Sequence, residues 1–277
     1  MLHALRRGRA TMAKDLMSAS PRRLLLLSSA SVHGCEPFEY AKEEIINFFG
    51  SSVKEILFIP YALHDYDAYV SRIRQRFAKI GLDYKIVGIH EGTFATEAVN
   101  NAQAVFIGGG NSFRLLKSLY AMDLVPLLQK RVLEDGLPYM GSSAGSNVAT
   151  ISINTTNDMP IVYPPTFQAL NLIPININPH YIDTDPNSTH KGETRDERIA
   201  EYLEQEPGRL VLALREGAWL RVEGDRATVG GKTGARLFKS LERDQGIVEI
   251  APDADVSYLM EGLTRTHSIP SGDKDKA

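Results

Sequence analysis

From residue 24 onward, short apolar runs take turns with longer amphipathic stretches. Residues 24–28, 55–59, 84–89, 104–107 and 138–141 are apolar enough for buried strands and too short for helices. Between them, residues 40–49, closed by Gly50, and residues 68–80, ended by Gly81, carry helical patterning with a glycine at the stop. Residues 112–120 and 124–134 continue it. Strands joined through helices predict an α/β fold with a mostly parallel central sheet and helices on both faces. Further on, residues 172–177 read as a strand and 195–205 as a helix. Residues 210–214, 219–222, 227–229 and 247–250 then predict a strand-rich, partly antiparallel C-terminal part. No internal repeat or linker interrupts the pattern. Residues 22–265 are therefore expected to form a single domain, with the polar segment 266–277 disordered.

The most pointed local signal is Pro138-Tyr-Met-Gly141-Ser-Ser143-Ala-Gly145, where an apolar run meets Gly-x-Ser-x-Gly and a helix-compatible stretch. This is the pattern of a nucleophile elbow, in which a strand turns sharply into a helix and lifts one hydroxyl above the sheet. A plain tight turn gives the same string. A second strand end, after residues 104–107, runs into Gly108-Gly-Gly110-Asn-Ser112. It has neither the Gly-x-x-x-x-Gly-Lys nor the Gly-x-Gly-x-x-Gly spacing of a phosphate loop. Glycine-rich loops do leave backbone N–H groups bare, and paired with the N–H after an elbow serine they can form an oxyanion hole, here from Gly110 and Ala144.

Composition narrows the class. A formal net charge of −3 and a pI near 6.2 argue against nucleic acid as the partner. No apolar run approaches the roughly 18 residues of a membrane span. The single cysteine, Cys35, excludes an internal disulfide framework and a cysteine-rich zinc site, and fits a reducing compartment. Asp183-Thr-Asp185-Pro-Asn187 suggests a calcium loop but lacks its glycine and its final glutamate, so no metal and no cofactor is expected. In residues 1–21, Arg6, Arg7, Arg9 and Lys14 face only Asp15. This basic extension fits a disordered tail, an upstream start before Met12 or Met17, or an organelle transit segment. Cytoplasmic residence is the main expectation, with organelle import as its alternative.

An elbow serine needs a base, because an alcohol is a poor nucleophile at neutral pH. Among seven histidines, His180 is the best placed, just beyond an apolar run in Ile177-Asn-Pro-His180. Taken alone it fits a base and a hydrogen-bonded core or surface histidine equally well. Asp158 lies between serine and histidine in sequence and could orient the base. Taken alone it is a turn former.

Together these stretches resemble the peptidase E, or α-aspartyl dipeptidase, family of serine peptidases. The resemblance rests on Ile107-Gly-Gly-Gly-Asn111, Gly141-Ser-Ser-Ala-Gly145, Thr155-Thr-Asn-Asp-Met-Pro-Ile161, Ile177-Asn-Pro-His180 and His190-Lys-Gly-Glu-Thr-Arg195, with Glu216-Gly217 and Trp219 as a further block. It spans residues 24–250 and implies a fold similar to class I glutamine amidotransferases, which is flavodoxin-like, with serine at the elbow in place of cysteine. It implies Ser143 as nucleophile, His180 as general base and Asp158 as its orienting partner. It also implies Arg195 as the group that holds the side-chain carboxylate of an N-terminal aspartate. The implied substrate is a small peptide with N-terminal Asp; a monomer and a homodimer are both open. The alternatives are a cyanophycinase-like hydrolase of β-aspartyl bonds and an inactive amidotransferase-like binding protein.

Overall fold

The computed structural model describes residues 21–92, 94–185, 187, 189, 191–241 and 244–261. The expectations for the basic extension 1–21 and the tail 266–277 fall outside these residues, Pro21 excepted, as do part of the 183–187 loop and His190.

Five parallel strands form the heart of the molecule: β1 (Arg23–Leu27), β2 (Glu55–Ile59), β3 (Lys85–Gly88), β4 (Val105–Ile107) and β5 (Tyr139–Ser142). Two strands from the C-terminal part, β8 (Ala218–Glu223) and β9 (Arg226–Gly231), extend the sheet antiparallel beside β1. The resulting order is β3-β2-β4-β5-β1-β8-β9. A second sheet, ordered β11-β10-β7-β6, is built from β6 (Asn176–Tyr181), β7 (Leu210–Arg215), β10 (Ala235–Leu241) and β11 (Asp244–Ile250).

The leucine run explains the layering. Successive strand residues point to opposite faces, so a strand buried on both sides is apolar throughout. Leu24 and Leu26 face one core and Leu25 and Leu27 the other, all four with no exposure. The Leu25 side is covered by α1 (Lys42–Phe49) and α2 (Tyr66–Lys79), whose Phe48, Ile73 and Phe77 pack with Phe58 and Phe106. The Leu24 side is covered by α3 (Ala95–Asn101), α4 (Ser112–Ala121) and α5 (Leu124–Leu133), and by the inner face of the second sheet through Ile177, Leu212, Leu214 and Leu237. The outer face of that sheet is closed by α7 (Arg195–Gln205), through Ile199 and Leu203 against Val211 and Phe238. The short α6 (Ala144–Asn147) follows β5 directly. No helix among the described residues is long and apolar enough to cross a membrane.

The expected mostly parallel sheet with helices on both faces is present; one local reading needs correction, and two elements, α3 and β10, had no reading in the sequence. The apolar stretch 172–177 is a strand only from Asn176 onward. The N–H groups of Leu172 and of Leu170 just before it are taken by the carbonyls of Ala149 and Val148, so the buried leucines here line a loop and not a ladder. Helix α3 buries a single valine, Val99, too little for a periodic signal. Strand β10 interleaves Arg236 and Lys239 with Leu237 and Phe238, which blurs its alternation.

One side chain ties the two sheets together. Ser28, fully buried just past β1, accepts the backbone N–H of His180 in β6 at 2.9 Å and donates to the carbonyl of Leu214 in β7 at 2.8 Å. Its own N–H donates to Ala218 in β8. Ser28→Ala would leave a donor and an acceptor unpaired where water does not reach, a loss of about 1–3 kcal/mol. A lower urea midpoint at unchanged slope is the expected outcome; an unchanged midpoint would show that the sheets hold their register without it.

Candidate active site

The 138–147 stretch folds as an elbow. Strand β5 ends at Ser142, α6 begins at Ala144, and Ser143 between them has φ 55° and ψ −113°. A non-glycine residue in this region is strained and persists only where its surroundings hold it. Here the Ser143 N–H donates to the Leu27 carbonyl at 3.1 Å, and the buried Ser146 hydroxyl donates to the same oxygen at 2.6 Å. Tyr139, fully buried, donates its hydroxyl to the Gly145 carbonyl at 2.6 Å. Gly145 itself lies against β4, where a Cβ would meet the Ile107 carbonyl oxygen at 2.0 Å. Only glycine fits that approach.

His180 meets the elbow from the other sheet. Its Nε2 is 2.8 Å from Ser143 Oγ and its Nδ1 is 2.7 Å from Glu216 Oε1. A carboxylate at Nδ1 can only accept, so Nδ1 carries the proton and Nε2 presents a lone pair to the serine hydroxyl. The His180 backbone also sits at positive φ, 53°, with its N–H held by Ser28. Glu216 occupies the turn between β7 and β8, where its carbonyl accepts from the Thr233 hydroxyl at 2.8 Å. The imidazole and the carboxylate remain 38% and 50% exposed, so both stay within reach of solvent and of a small substrate.

Asp158 does not take the place expected of it. Its carboxylate accepts the Ser112 N–H at 2.7 Å at the start of α4 and the Thr156 hydroxyl at 3.0 Å, while the carboxylate on the His180 ring is that of Glu216. The loop around Asp158 is a clamp. Thr155 donates its hydroxyl to the Ile177 carbonyl at 2.8 Å, Asn157 donates its amide to the Pro179 carbonyl at 2.7 Å, and Asn178 donates back to the Thr155 carbonyl at 2.8 Å. The loop thus fastens β6, which carries His180, to the start of α4. The one sequence signal for Glu216 was its position after the apolar run 210–214, since functional groups gather at strand ends on a sheet's carboxyl edge; nothing in the residue itself marked its role.

In the glycine-rich loop, Gly110 has φ +135°, and a Cβ on it would meet the Ala62 carbonyl at 2.6 Å. The Gly109 carbonyl accepts from the Tyr69 hydroxyl at 2.9 Å. Because the peptide is trans, fixing that carbonyl aims the Gly110 N–H the opposite way. Burial pushes the Tyr69 hydroxyl up to about 12, against the opposing pull of Arg72 and Arg76, so it remains a donor. Gly109, Gly110, Ser143, His180 and Glu216 line one cleft of about 290 Å³ together with Tyr69, Arg72 and Arg76 of α2. A larger recess of about 830 Å³ near Tyr120, Phe167 and Tyr202 has no histidine or cysteine among its described lining residues.

Arg195, the first residue of α7, lines a different recess with Ile182, Asp183 and Arg198. Burial and the nearby Arg198 charge both pull its pKa down. Asp183, the first carboxylate of the rejected calcium loop, is held by Arg215 through two bonds of 2.7 Å. Among the described residues, no group of three or more His, Cys, Asp or Glu could hold a metal ion.

Residues 24–230 match the family model described as Peptidase family S51. The chain is 49% identical over 244 residues to the "Probable alpha-aspartyl dipeptidase" of Drosophila melanogaster, covering 88% of this chain and 99% of that protein. It is 50% identical over 238 residues to the "Peptidase E" of Streptomyces coelicolor, covering 86% and 95% respectively. Its fold is shared with the crystal structure of a peptidase from an acI-B1 Actinobacterium, at a TM-score of 0.61 and 16% identity, covering 86% of this chain and 97% of that one.

The geometry separates the two carboxylates experimentally. Glu216→Gln should slow phosphonylation of Ser143 by a fluorophosphonate about 10²-fold or more, at unchanged thermal stability. Asp158→Ala should instead cost about 1 kcal/mol of stability by freeing the Ser112 N–H. Undiminished labelling of Glu216→Gln would remove Glu216 from the His180 assembly.

Proposed function

The chain belongs to peptidase family S51, and we propose that it is a serine-type dipeptidase hydrolysing α-aspartyl dipeptides, Asp-X, through an acyl-enzyme on Ser143. The observation that carries this reading is the 2.8 Å contact between Ser143 Oγ and His180 Nε2, backed by Glu216 at 2.7 Å. The alpha-aspartyl dipeptidase name of the Drosophila relative supports the substrate class. A single cysteine fits work in the cytoplasm.

In this mechanism His180 Nε2 takes the hydroxyl proton as Ser143 Oγ bonds to the scissile carbonyl carbon. Glu216 holds the proton on Nδ1 and steadies the imidazolium. The N–H groups of Gly110 and Ala144 receive the developing oxyanion, at about 3–4 kcal/mol per donor. As the C–N bond breaks, His180 returns the proton to the leaving amine. Water then attacks the aspartyl ester, giving one proton to His180, and the ester C–O bond breaks as that proton returns to Ser143 Oγ.

Arg195 is assigned to the aspartyl side-chain carboxylate. A guanidinium fork grips a carboxylate bidentately and senses its distance from the backbone, which is how Asp is told from Glu. Arg195 lines the recess of Ile182, Asp183 and Arg198 and not the Ser143 cleft, so in this role it must approach the bound substrate; burial and the nearby Arg198 charge, which draw its pKa down, favour an anionic partner.

Release of free aspartate from Asp-Leu, with Glu-Leu, N-acetyl-Asp-Leu and β-Asp-Leu alongside, tests the reading. Cleavage of Asp-Leu alone, lost in Ser143→Ala, is expected. Cleavage of only the β-linked peptide would overturn the substrate assignment. Arg195→Ala should lower the Asp-over-Glu preference about tenfold or more; an unchanged preference would free Arg195 from this role.

A further inference from the structure

The cleft has a basic wall that aspartyl recognition at Arg195 leaves unused. Tyr69, Arg72, Ile73 and Arg76 fall at i, i+3, i+4 and i+7 on one face of α2, and all four line the cleft that holds Ser143, His180 and Glu216. The Arg72 guanidinium lies 4.9 Å over the Tyr69 ring. Arg76 is half-buried, and burial followed by the adjacent Arg72 charge draws its pKa down. Among the described residues neither guanidinium has a carboxylate partner, whereas Arg215 is paired with Asp183 and Glu249, Arg221 with Glu44, and Arg236 with Asp196. Two neighbouring cations, one of them partly dehydrated, repel each other until an anion joins them.

A dipeptide brings that anion to this place. Extended, its two residues span about 7 Å, so its C-terminal carboxylate must lie in the same cleft as the carbonyl that Ser143 attacks. We propose that Arg72 and Arg76 form a clamp for the free C-terminal carboxylate of the dipeptide, on the leaving-group side of Ser143, and thereby set the substrate length. The proposal rests on the dipeptidase reading above. A tripeptide would set a neutral carbonyl where the clamp expects a full negative charge, leaving both guanidiniums uncompensated, so length is selected by loss of an ion pair as well as by space. The clamp also stands beside the oxyanion peptide: the Tyr69 hydroxyl that holds the Gly109 carbonyl shares its helix face with both arginines.

The test compares Asp-Leu with Asp-Leu amide, which share the scissile bond and the aspartyl group and differ only in the C-terminal charge. Both are offered to the wild-type chain and to the double variant Arg72→Gln, Arg76→Gln, whose side chains stay polar at positions facing the cleft. The wild type should favour the free acid in kcat/KM by about tenfold or more, and the variant should lose most of that preference, bringing the ratio close to one, mainly through KM. An equal ratio in both proteins would overturn the clamp. So would an equal loss on acid and amide, which would assign the pair to the aspartyl group or to the fold. Failure of the wild type to cleave either compound would overturn the dipeptidase reading itself, and the clamp with it.

Discussion

Ser143 extends from the seven-stranded sheet and His180 from the four-stranded one, so their 2.8 Å contact bridges two separately hydrogen-bonded bodies. That contact tolerates little slack, because a hydrogen bond weakens steeply as distance and angle depart from their optimum. The sheets must therefore be locked in register where the contact forms. Ser28 does this from β1, with one hydroxyl oxygen accepting from His180 and donating to Leu214. The Thr155–Asp158 loop fastens β6 as well, through the carbonyls of Ile177 and Pro179. Glu216 completes the bridge, since its turn is the point at which the chain passes from β7 in one sheet to β8 in the other.

That lock also supports backbone strain. Ser143 and His180 both lie at positive φ, a condition worth about 1–3 kcal/mol each against the fold. In each case the offset is local and visible. The Leu27 carbonyl takes two donors from the elbow, the close Gly145–Ile107 approach pins the start of α6, and Ser28 holds the His180 N–H. The strain has a geometric use: it turns each side chain out of its strand and toward the other sheet.

Much of this was legible in the residues. Uninterrupted apolar strands such as Leu24–Leu27 announce burial on both faces, and Gly141-x-Ser143-x-Gly145 announces a close turn, because both patterns are dictated by local sterics. Glu216 was harder. A carboxylate in a two-residue turn carries no local mark of its purpose, and its partner lies 36 positions away. The loop at 172–175 misled for a related reason: buried leucines are common to strands and to well-packed loops, and only the partners of their N–H groups tell the two apart.

Asp158 carries the more general lesson. Its stretch, Thr155-Thr-Asn-Asp-Met-Pro-Ile161, is among the most distinctive in the chain, and a distinctive string holding a carboxylate invites a catalytic role. Its polar side chains are instead used up on the backbone of β6 and the first turn of α4. A loop that must satisfy several fixed donors and acceptors at once is as tightly constrained in residue type as a site that performs chemistry. The reverse holds for Arg72 and Arg76, which sit in no distinctive string, yet lack carboxylate partners among the described residues and line the cleft of Ser143 and His180. Polar groups whose bonding capacity is spent within the fold hold geometry, and those left with capacity facing a cleft are the ones free to meet a substrate.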